Sequence, residues 1–340
     1  MAESIRVVRT DMELECPHLD KALRKSDVEL VLLPDGISED DLVRETRNAS
    51  LILMCYTPIT ARVINEAKLL KGIVKYGVGI DAIDIEAAKA RKIPVVNVPE
   101  YAEETVAEGA FALLVALTKK LRPLQKAMDE TGWVWPTAQW QGSDISGKTL
   151  GLVGLGRIGR SMARMAGQGF NARVLAYSPH SDAQTIRAAG AEKCEDLHEM
   201  LGQSDFVSIH AVLNSETHHL IDAACFAAMK PGALFINAAR GAIVDEAALI
   251  EALRSGQIGG AGLDVFSQEP LALTGHPLSP LFEMDNVILT PHFTFFTAEA
   301  MKRLEEDALA RCDEILASKP VLVKSTDPRL TGQKNGVIFP

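Results

Sequence analysis

Gly151-Leu152-Val153-Gly154-Leu155-Gly156-Arg157-Ile158-Gly159 places Gly154, Gly156 and Gly159 in G-x-G-x-x-G register, directly behind an apolar run from Thr149 to Val153 that reads as a strand. In such a turn the first glycine permits the tight bend. The second lets backbone approach a pyrophosphate, and the third lets the following helix pack closely on the sheet. A helix expected over about Arg157 to Gly169 would then aim its N-terminal amides at phosphate. Taken alone, three glycines at this spacing describe any strand–turn–helix crossing with small residues at the bend. Here a strand precedes, a helix follows, and a second strand is expected at Arg173–Tyr177, which is the context nucleotide binding requires.

Outward from this motif the chain alternates short apolar strands with amphipathic stretches. Before it, strands are expected at Ile5–Val8, Val28–Leu33, Leu51–Tyr56, Gly72–Tyr76 and Pro94–Val98. Helices are expected at Asp40–Asn48, behind Ser38 as a cap, and at Asp84–Arg91. After it, Asp205–His210, Ala233–Asn237, Gly260–Val265 and Val287–Leu289 continue a second series. Strict βα alternation predicts parallel sheets with helices on both faces. The fold class is therefore α/β, with two doubly wound, Rossmann-like domains and the active cleft between them. A long helical pattern, about Glu104 to Leu121, separates the two series. The last helical pattern, about Ala298 to Ser318, has no strand after it and is expected to return to the first domain. The predicted boundaries are a substrate domain over 1–103 completed by 297–330, a dinucleotide-binding domain over 104–296, and a tail over 331–340.

The 340 residues suit two domains, and 47% apolar with 24% charged residues is the balance of a globular protein. A net charge of −10 gives no general attraction to nucleic acid. The five cysteines are scattered without C-x-x-C spacing, as expected of reduced thiols, and no metal site is read. The first residues lead straight toward a strand without a basic-then-apolar leader, and no apolar run is long enough for a bilayer, so the expected compartment is the cytoplasm. All three tryptophans, Trp133, Trp135 and Trp140, fall in one loop region. They would either cover the local core or form an arm that docks on a second copy, and the arm is the expectation, because aromatic residues are enriched at interface cores.

Three single residues stand just past strands of the second series, where a doubly wound sheet presents its working groups: Arg240, Glu269 and His292. Each has an ordinary alternative, as a surface turn, a solvated loop and a structural histidine. Together they supply a cation for a carboxylate, an acid/base near neutral pH and a carboxylate to orient and charge that base. Reversible hydride transfer to a 2-oxo acid needs that set.

On these residues, and on Lys75-Tyr76-Gly77-Val78-Gly79-Ile80-Asp81, Asn97-Val98-Pro99 to Glu108, Ala239-Arg240-Gly241, Asp264 to Pro270 and Pro291-His292, the chain resembles the D-isomer-specific 2-hydroxyacid dehydrogenases. Within them it is most similar to bacterial relatives of the C-terminal-binding-protein branch, through Tyr76-Gly77-Val78-Gly79 and Phe295-Phe296. The resemblance implies that Arg240 grips the substrate carboxylate and polarises the keto oxygen. It implies that His292 moves the proton, while Glu269 holds and charges the imidazole. Backbone at Val78 and Gly79 would hold the substrate carboxylate, while Phe295 and Phe296 would either narrow the pocket over an apolar substituent or belong to the core at the start of the last helix. Asp264 would accept from the nicotinamide carboxamide. Thr105, Arg157, Ile158, His210 and Ala238 would line the cofactor beside Gly154, Gly156 and Gly159.

Two departures bear on detail. The acid that selects NAD should end the second strand of the nucleotide fold, but Tyr177-Ser178-Pro179-His180 stands there. Ser178 can bond a ribose hydroxyl without repelling a 2′-phosphate, and both NAD(H) and NADP(H) stay open as cofactors. Phosphoglycerate-oxidising members commonly carry arginine in the loop after the third strand, where this chain has Met54-Cys55-Tyr56-Thr57. Within these 340 residues no added regulatory domain is expected. The expected function is therefore a homodimeric, NAD(P)-dependent dehydrogenase of a small D-2-hydroxy acid or 2-oxo acid of the glyoxylate or hydroxypyruvate kind, with no nucleic-acid or membrane partner. The alternatives are a dinucleotide-sensing binding protein of corepressor type and a D-3-phosphoglycerate dehydrogenase.

Overall fold

The computed structural model describes residues 5–24 and 27–340. Met1 to Ser4, on which the reading about a leader falls, lie outside the described residues. Two compact units emerge, Met1–Ala102 with Thr297–Pro340, and Glu103–Phe296.

In the first unit, β1 (Ile5–Arg9), β2 (Val28–Leu32), β3 (Leu51–Met54), β4 (Gly72–Lys75) and β5 (Val95–Asn97) pair in the order β2-β1-β3-β4-β5, all parallel. Every residue of β3, β4 and β5 is buried, as expected of strands covered on both faces. The capped helix is Glu39–Thr46, with the Ser38 side chain accepting from the Asp41 amide. β3 stops before the expected Tyr56 for a physical reason. The buried carboxylate of Asp11 takes the amides of Cys55 (2.7 Å), Tyr56 (3.0 Å) and Thr57 (3.0 Å) away from the ladder.

The helix Ala298–Leu316 packs within this unit. Its Ile315 fills the space that a side chain at Gly72 would need, its methyl lying 2.6 Å from where a Cβ would stand, and its Glu305 accepts from the Leu19 amide at 2.7 Å. The stretch 331–340, set apart as a tail in the sequence, is corrected by its contacts. Gln333 is buried and exchanges two 2.8 Å hydrogen bonds with the backbone of Val95. Its amide group thus pairs with the edge strand β5, whose free backbone groups would otherwise lack partners. Val337–Ile338 adds a short parallel pairing with Val321–Leu322.

In the second unit, β6 (Thr149–Val153), β7 (Arg173–Tyr177), β8 (Glu192–Lys193), β9 (Phe206–Ile209), β10 (Ala233–Asn237), β11 (Ile258–Leu263) and β12 (Val287–Leu289) form a parallel sheet in the order β12-β11-β10-β9-β6-β7-β8. The chain order reverses direction beside β6, so β9 and β6 flank a topological switch point. Leu150, Leu152, Ile209, Phe235, Ile236 and Ala261 are fully enclosed. Each large apolar side chain so buried contributes roughly 1.5–3 kcal/mol.

The helix expected over Glu104–Leu121 is present as Glu103–Thr118, and a second helix that the sequence reading did not expect, Leu121–Thr131, follows a break at Lys120 with φ +51°. Pro123 explains the break, since its ring would clash with the Lys119 carbonyl four residues earlier if the helix ran on. Helix Glu103–Thr118 lies directly on β11, where a Cβ on Gly262 would come within 2.9 Å of Leu113. Helix Leu121–Thr131 buries no residue, yet Arg122 ties it to the Phe282, Met284 and Val287 carbonyls. Beyond it Trp133 and Trp135 stand 65% and 74% exposed with rings edge to face, so these two do not cover the local core.

Candidate active site

The glycine turn divides into two structural glycines and one open one. At Gly154, with φ +94°, a Cβ would lie 2.7 Å from the Ala211 nitrogen and the His210 carbonyl carbon, and at Gly159 it would lie 2.6 Å from the Gly154 oxygen. Both are demanded by the chain's own close approach. A Cβ at Gly156 would meet nothing within 4 Å, and the helix Arg157–Arg164 that starts there has no side-chain cap on its amides. Open space before uncapped helix amides fits the pyrophosphate of a dinucleotide.

The other cofactor candidates gather along the same sheet edge. The Gly154 amide donates to the Tyr177 carbonyl (2.9 Å), and the His210 amide to that of Val153 (2.7 Å), which joins β7, β6 and β9 at the switch point. His210 also contacts Ser208 Oγ through Nε2 at 2.9 Å, and burial pushes its imidazole down to about 4, so the ring is neutral near pH 7. Ser178 shares a 3.0 Å hydrogen bond with Ser181, and Arg157 pairs with Glu103 at 2.8 Å. Ile158 is half-buried, while Thr105 and Ala238 are buried.

Arg240, Glu269 and His292 follow β10, β11 and β12, three neighbouring parallel strands, so their loops leave one edge of the sheet. The Arg240 loop is pinned by buried Asn237, whose Nδ2 donates to the Arg240 carbonyl at 2.9 Å while its Oδ1 accepts from the Ala239 amide. Gly241 is obligatory, because a Cβ there would lie 2.0 Å from the Phe266 backbone. That close approach brings the Arg240 and Glu269 loops together. Glu269 Oε1 accepts from the Phe266 amide at 2.8 Å, and Oε2 meets His292 Nδ1 at 2.9 Å. Burial alone would raise the Glu269 carboxyl. The His292 hydrogen bond and charge, the Phe266 amide and the charge of Arg240 outweigh it and hold the group below its ordinary value. Glu269 thus fixes the ring through Nδ1.

Asp264, expected on a carboxamide, has four partners of its own. Fully buried, it accepts from the Thr290 hydroxyl (2.5 Å), the Phe293 amide (2.8 Å), the Thr294 amide (3.0 Å) and the Thr294 hydroxyl (2.6 Å). Its first task is to hold the loop that carries His292. Phe295 is buried with its ring edge to face with His292 at 6.2 Å between centroids, whereas Phe296 is 44% exposed. Sequence reading missed Asn237, Thr290 and Thr294, whose side chains bond within the Arg240 and His292 loops; for Asn237 and Thr290 the available signal was a polar residue at the end of an apolar strand.

In the first unit Val78 is exposed, and its carbonyl accepts from Asn97 Nδ2 at 2.6 Å. Gly79 is half-buried. The loop after β3, uncharged in its own sequence, receives a cation from the neighbouring strand. Buried Lys75 places Nζ on the Cys55 carbonyl, 3.4 Å from Cys55 Sγ and 5.5 Å from the Tyr56 ring centroid. A cavity of about 550 Å³ lies elsewhere in the second unit, at the opposite ends of the strands, lined by residues such as Lys120, Trp140, Lys148, Asp205 and Lys230. It contains none of the residues singled out for chemistry. Among the described residues no helix is long and apolar enough to cross a membrane.

Residues 111–294 match the family model of the NAD-binding domain of D-isomer-specific 2-hydroxyacid dehydrogenases. The chain is 39% identical over 274 residues to D-3-phosphoglycerate dehydrogenase of Mycobacterium tuberculosis, covering 80% of this chain and 50% of that protein. It thus spans about half the length of several curated relatives it matches. It is also 39% identical over 259 residues to glyoxylate reductase of Korarchaeum cryptofilum, covering 76% of each. Among solved structures, D-lactate dehydrogenase of Aquifex aeolicus, complexed with NAD and lactic acid, superposes with a TM-score of 0.81 at 29% identity, covering 96% of this chain and 98% of that one.

Proposed function

This chain belongs to the D-isomer-specific 2-hydroxyacid dehydrogenase family, and we propose that it interconverts a small 2-oxo acid, of the glyoxylate or hydroxypyruvate kind, with the D-2-hydroxy acid, using NAD(H) or NADP(H). The observation that carries the proposal is the 2.9 Å pair of His292 and Glu269 on the sheet edge that also presents Arg240 and the open glycine turn. A bound nicotinamide would supply or accept the hydride at the carbonyl carbon. His292 gives a proton from Nε2 to the carbonyl oxygen in reduction and takes it back in oxidation. Glu269 keeps Nδ1 protonated and favours the charged ring. Arg240 binds the substrate carboxylate through two parallel N–H groups and draws electron density from the keto oxygen. The roles of Val78, Gly79 and Phe295 toward substrate, and of Thr105, Arg157, Ile158, Tyr177, Ser178, His210, Ala238 and Asp264 toward cofactor, belong to the same proposal. So does the division of labour between a dinucleotide-binding unit, Glu103–Phe296, and a substrate unit.

D-3-phosphoglycerate oxidation is a second reading, favoured by Lys75, which brings positive charge to the loop after β3. Self-association into a homodimer is supported by the exposed pair Trp133 and Trp135 on the arm after helix Leu121–Thr131. A cytoplasmic setting is supported by the scattered cysteines, which stand as thiols without C-x-x-C spacing.

The test is a panel of 2-oxo acids, with D-3-phosphoglycerate in the oxidative direction, followed by nicotinamide absorbance with each cofactor. Turnover of glyoxylate or hydroxypyruvate is expected. Cofactor binding without turnover of any acid would instead mark a dinucleotide-sensing protein and refute the proposal.

A further inference from the structure

We infer that Thr294 is a positioning residue for His292, acting through the buried carboxylate of Asp264. His292 has φ +60°, a left-handed conformation that side-chain-bearing residues rarely adopt. Such a backbone persists only where its surroundings fix it from both sides. On the N-terminal side, the Thr290 amide donates to the Leu263 carbonyl at 2.9 Å and the Thr290 hydroxyl to Asp264 Oδ1 at 2.5 Å. On the C-terminal side, Asp264 takes the Phe293 amide and both the amide and the hydroxyl of Thr294. Asp264 is itself anchored, its amide donating to the Asn237 carbonyl at 2.9 Å, and Asn237 also holds the Arg240 loop. One buried carboxylate therefore brackets His292.

A carboxylate without solvent depends on its donors. Two of the four here are hydroxyls, and that of Thr294 is the one placed immediately after the histidine turn. A second contact keeps this side chain aimed. Helix Glu103–Thr118 presses on Thr294 so closely that a Cβ at Gly109 would stand 2.7 Å from both Thr294 Cβ and Cγ2. The helix thus packs on the Cβ and methyl of Thr294 while its hydroxyl donates to Asp264. Its consequence is for the orientation of the imidazole, whose Nδ1 must meet Glu269 while Nε2 faces the reacting oxygen.

The inference rests on the reading of His292 as proton donor and acceptor, so the test pairs kinetics with a measurement that needs no turnover. Thr294→Val keeps the shape and removes the hydroxyl, and Thr294→Ser keeps the hydroxyl. Because small displacements of a reacting group are costly, Thr294→Val should lower kcat about tenfold or more, with KM and dinucleotide affinity changed by no more than about twofold. Thr294→Ser should stay near wild type. In protein carrying ¹⁵N-histidine, with His292 assigned through His292→Asn, the Nδ1–H resonance of the Glu269 hydrogen bond should persist in wild type and Thr294→Ser and broaden or vanish in Thr294→Val. If Thr294→Val does not fold, Gly109→Ala, which displaces Thr294 while leaving its hydroxyl, should disturb the same resonance. A normal resonance in whichever of these variants folds overturns the inference, as does a Thr294→Ser variant as impaired as Thr294→Val, which would assign the effect to packing. Wild type that shows the resonance but turns over no 2-oxo acid would refute the functional reading and leave the positioning result to be judged on the spectra.

Discussion

Replacing Glu269 by Gln tests the central pair most directly, because it removes a charge while keeping a hydrogen-bond acceptor of the same size. In wild type the carboxylate meets His292 Nδ1 at 2.9 Å, and it is held ionised below the usual carboxylate range by His292, the Phe266 amide and Arg240 against the cost of burial. It therefore stays negative across the pH range of any practical assay and favours the charged imidazole throughout. A hydrogen bond between charged partners is worth about 1.5–3 kcal/mol. With side chains 27% and 30% exposed, screening favours the lower part of that range, about 1.5–2 kcal/mol. An interaction of that size is worth a change of about tenfold or more in the ratio of reductive to oxidative rate at a fixed pH. The sign follows from which form each direction uses. Reduction needs the charged ring, so its alkaline limb should move to lower pH. Oxidation needs the neutral ring, so its acid limb should move the same way and extend activity downward. In wild type the reductive rate should bend toward that of the variant only below the ordinary carboxylate range, as Glu269 itself takes a proton. The assay is a pair of pH profiles of kcat/KM in both directions. Limbs that coincide in wild type and Glu269→Gln would refute the pairing as the setting of the proton donor.

Arg240→Lys should lower kcat/KM by about a hundredfold or more, since a point charge cannot make the two-pronged contact, with dinucleotide affinity measured by fluorescence nearly unchanged; near-normal turnover would sink the carboxylate role. Trp133→Ser with Trp135→Ser should convert a dimer to monomer in sedimentation at micromolar concentration, and a wild type already monomeric there would defeat the arm. Wild type should discriminate weakly between NAD and NADP, and Ser178→Asp should shift the ratio of kcat/KM toward NAD by about tenfold, a difference of about 1.4 kcal/mol; strong wild-type rejection of NADP would place the selector elsewhere. Burial of His210, pushed down to about 4 from 6.5, costs nothing above pH 6.5, where the ring is neutral folded and unfolded. Below that the unfolded chain binds a proton the folded chain refuses, so stability should fall by roughly 2 kcal/mol between pH 6.5 and 5. Urea midpoints should show this slope flattened in His210→Gln, and an equal slope would contradict a neutral buried His210.

The parts of the fold that periodicity carries were legible. Thr149–Val153, Arg173–Tyr177, Ala233–Asn237 and Val287–Leu289 are strands at the bounds their apolar runs suggest. The glycine register was legible because Gly154 and Gly159 answer to backbone contacts within the motif itself. Less legible were features decided by distant side chains. The end of β3 depends on Asp11, 44 positions before Cys55. The fate of the last residues depends on Gln333 meeting Val95 across a separation of 238. The helix Glu103–Thr118 ends close to its expected bound, whereas Leu121–Thr131 was not read as a helix, since it carries Pro123 in its first turn and buries no residue. β8 has two polar residues and no pattern at all.

The same contrast explains the candidate site. A parallel sheet delivers every post-strand residue to one edge, so Arg240, Glu269 and His292 could be grouped from their positions after β10, β11 and β12 without knowledge of any side-chain contact. What that rule cannot do is divide tasks among residues of one loop. Asp264 and Glu269 both follow β11. Asp264 stands at the strand end, where the adjacent β12 continues through Thr290, and it is sealed in by two threonine hydroxyls and two amides. Glu269 lies beyond the close crossing at Gly241, where the chain leaves the sheet and one carboxylate oxygen stays available for His292. In the proposed mechanism the buried acid therefore holds the histidine loop and the outer acid charges the histidine. Exchanging Asp264 for Asn should consequently damage the geometry of the loop more than its charge, the reverse of what Glu269→Gln does.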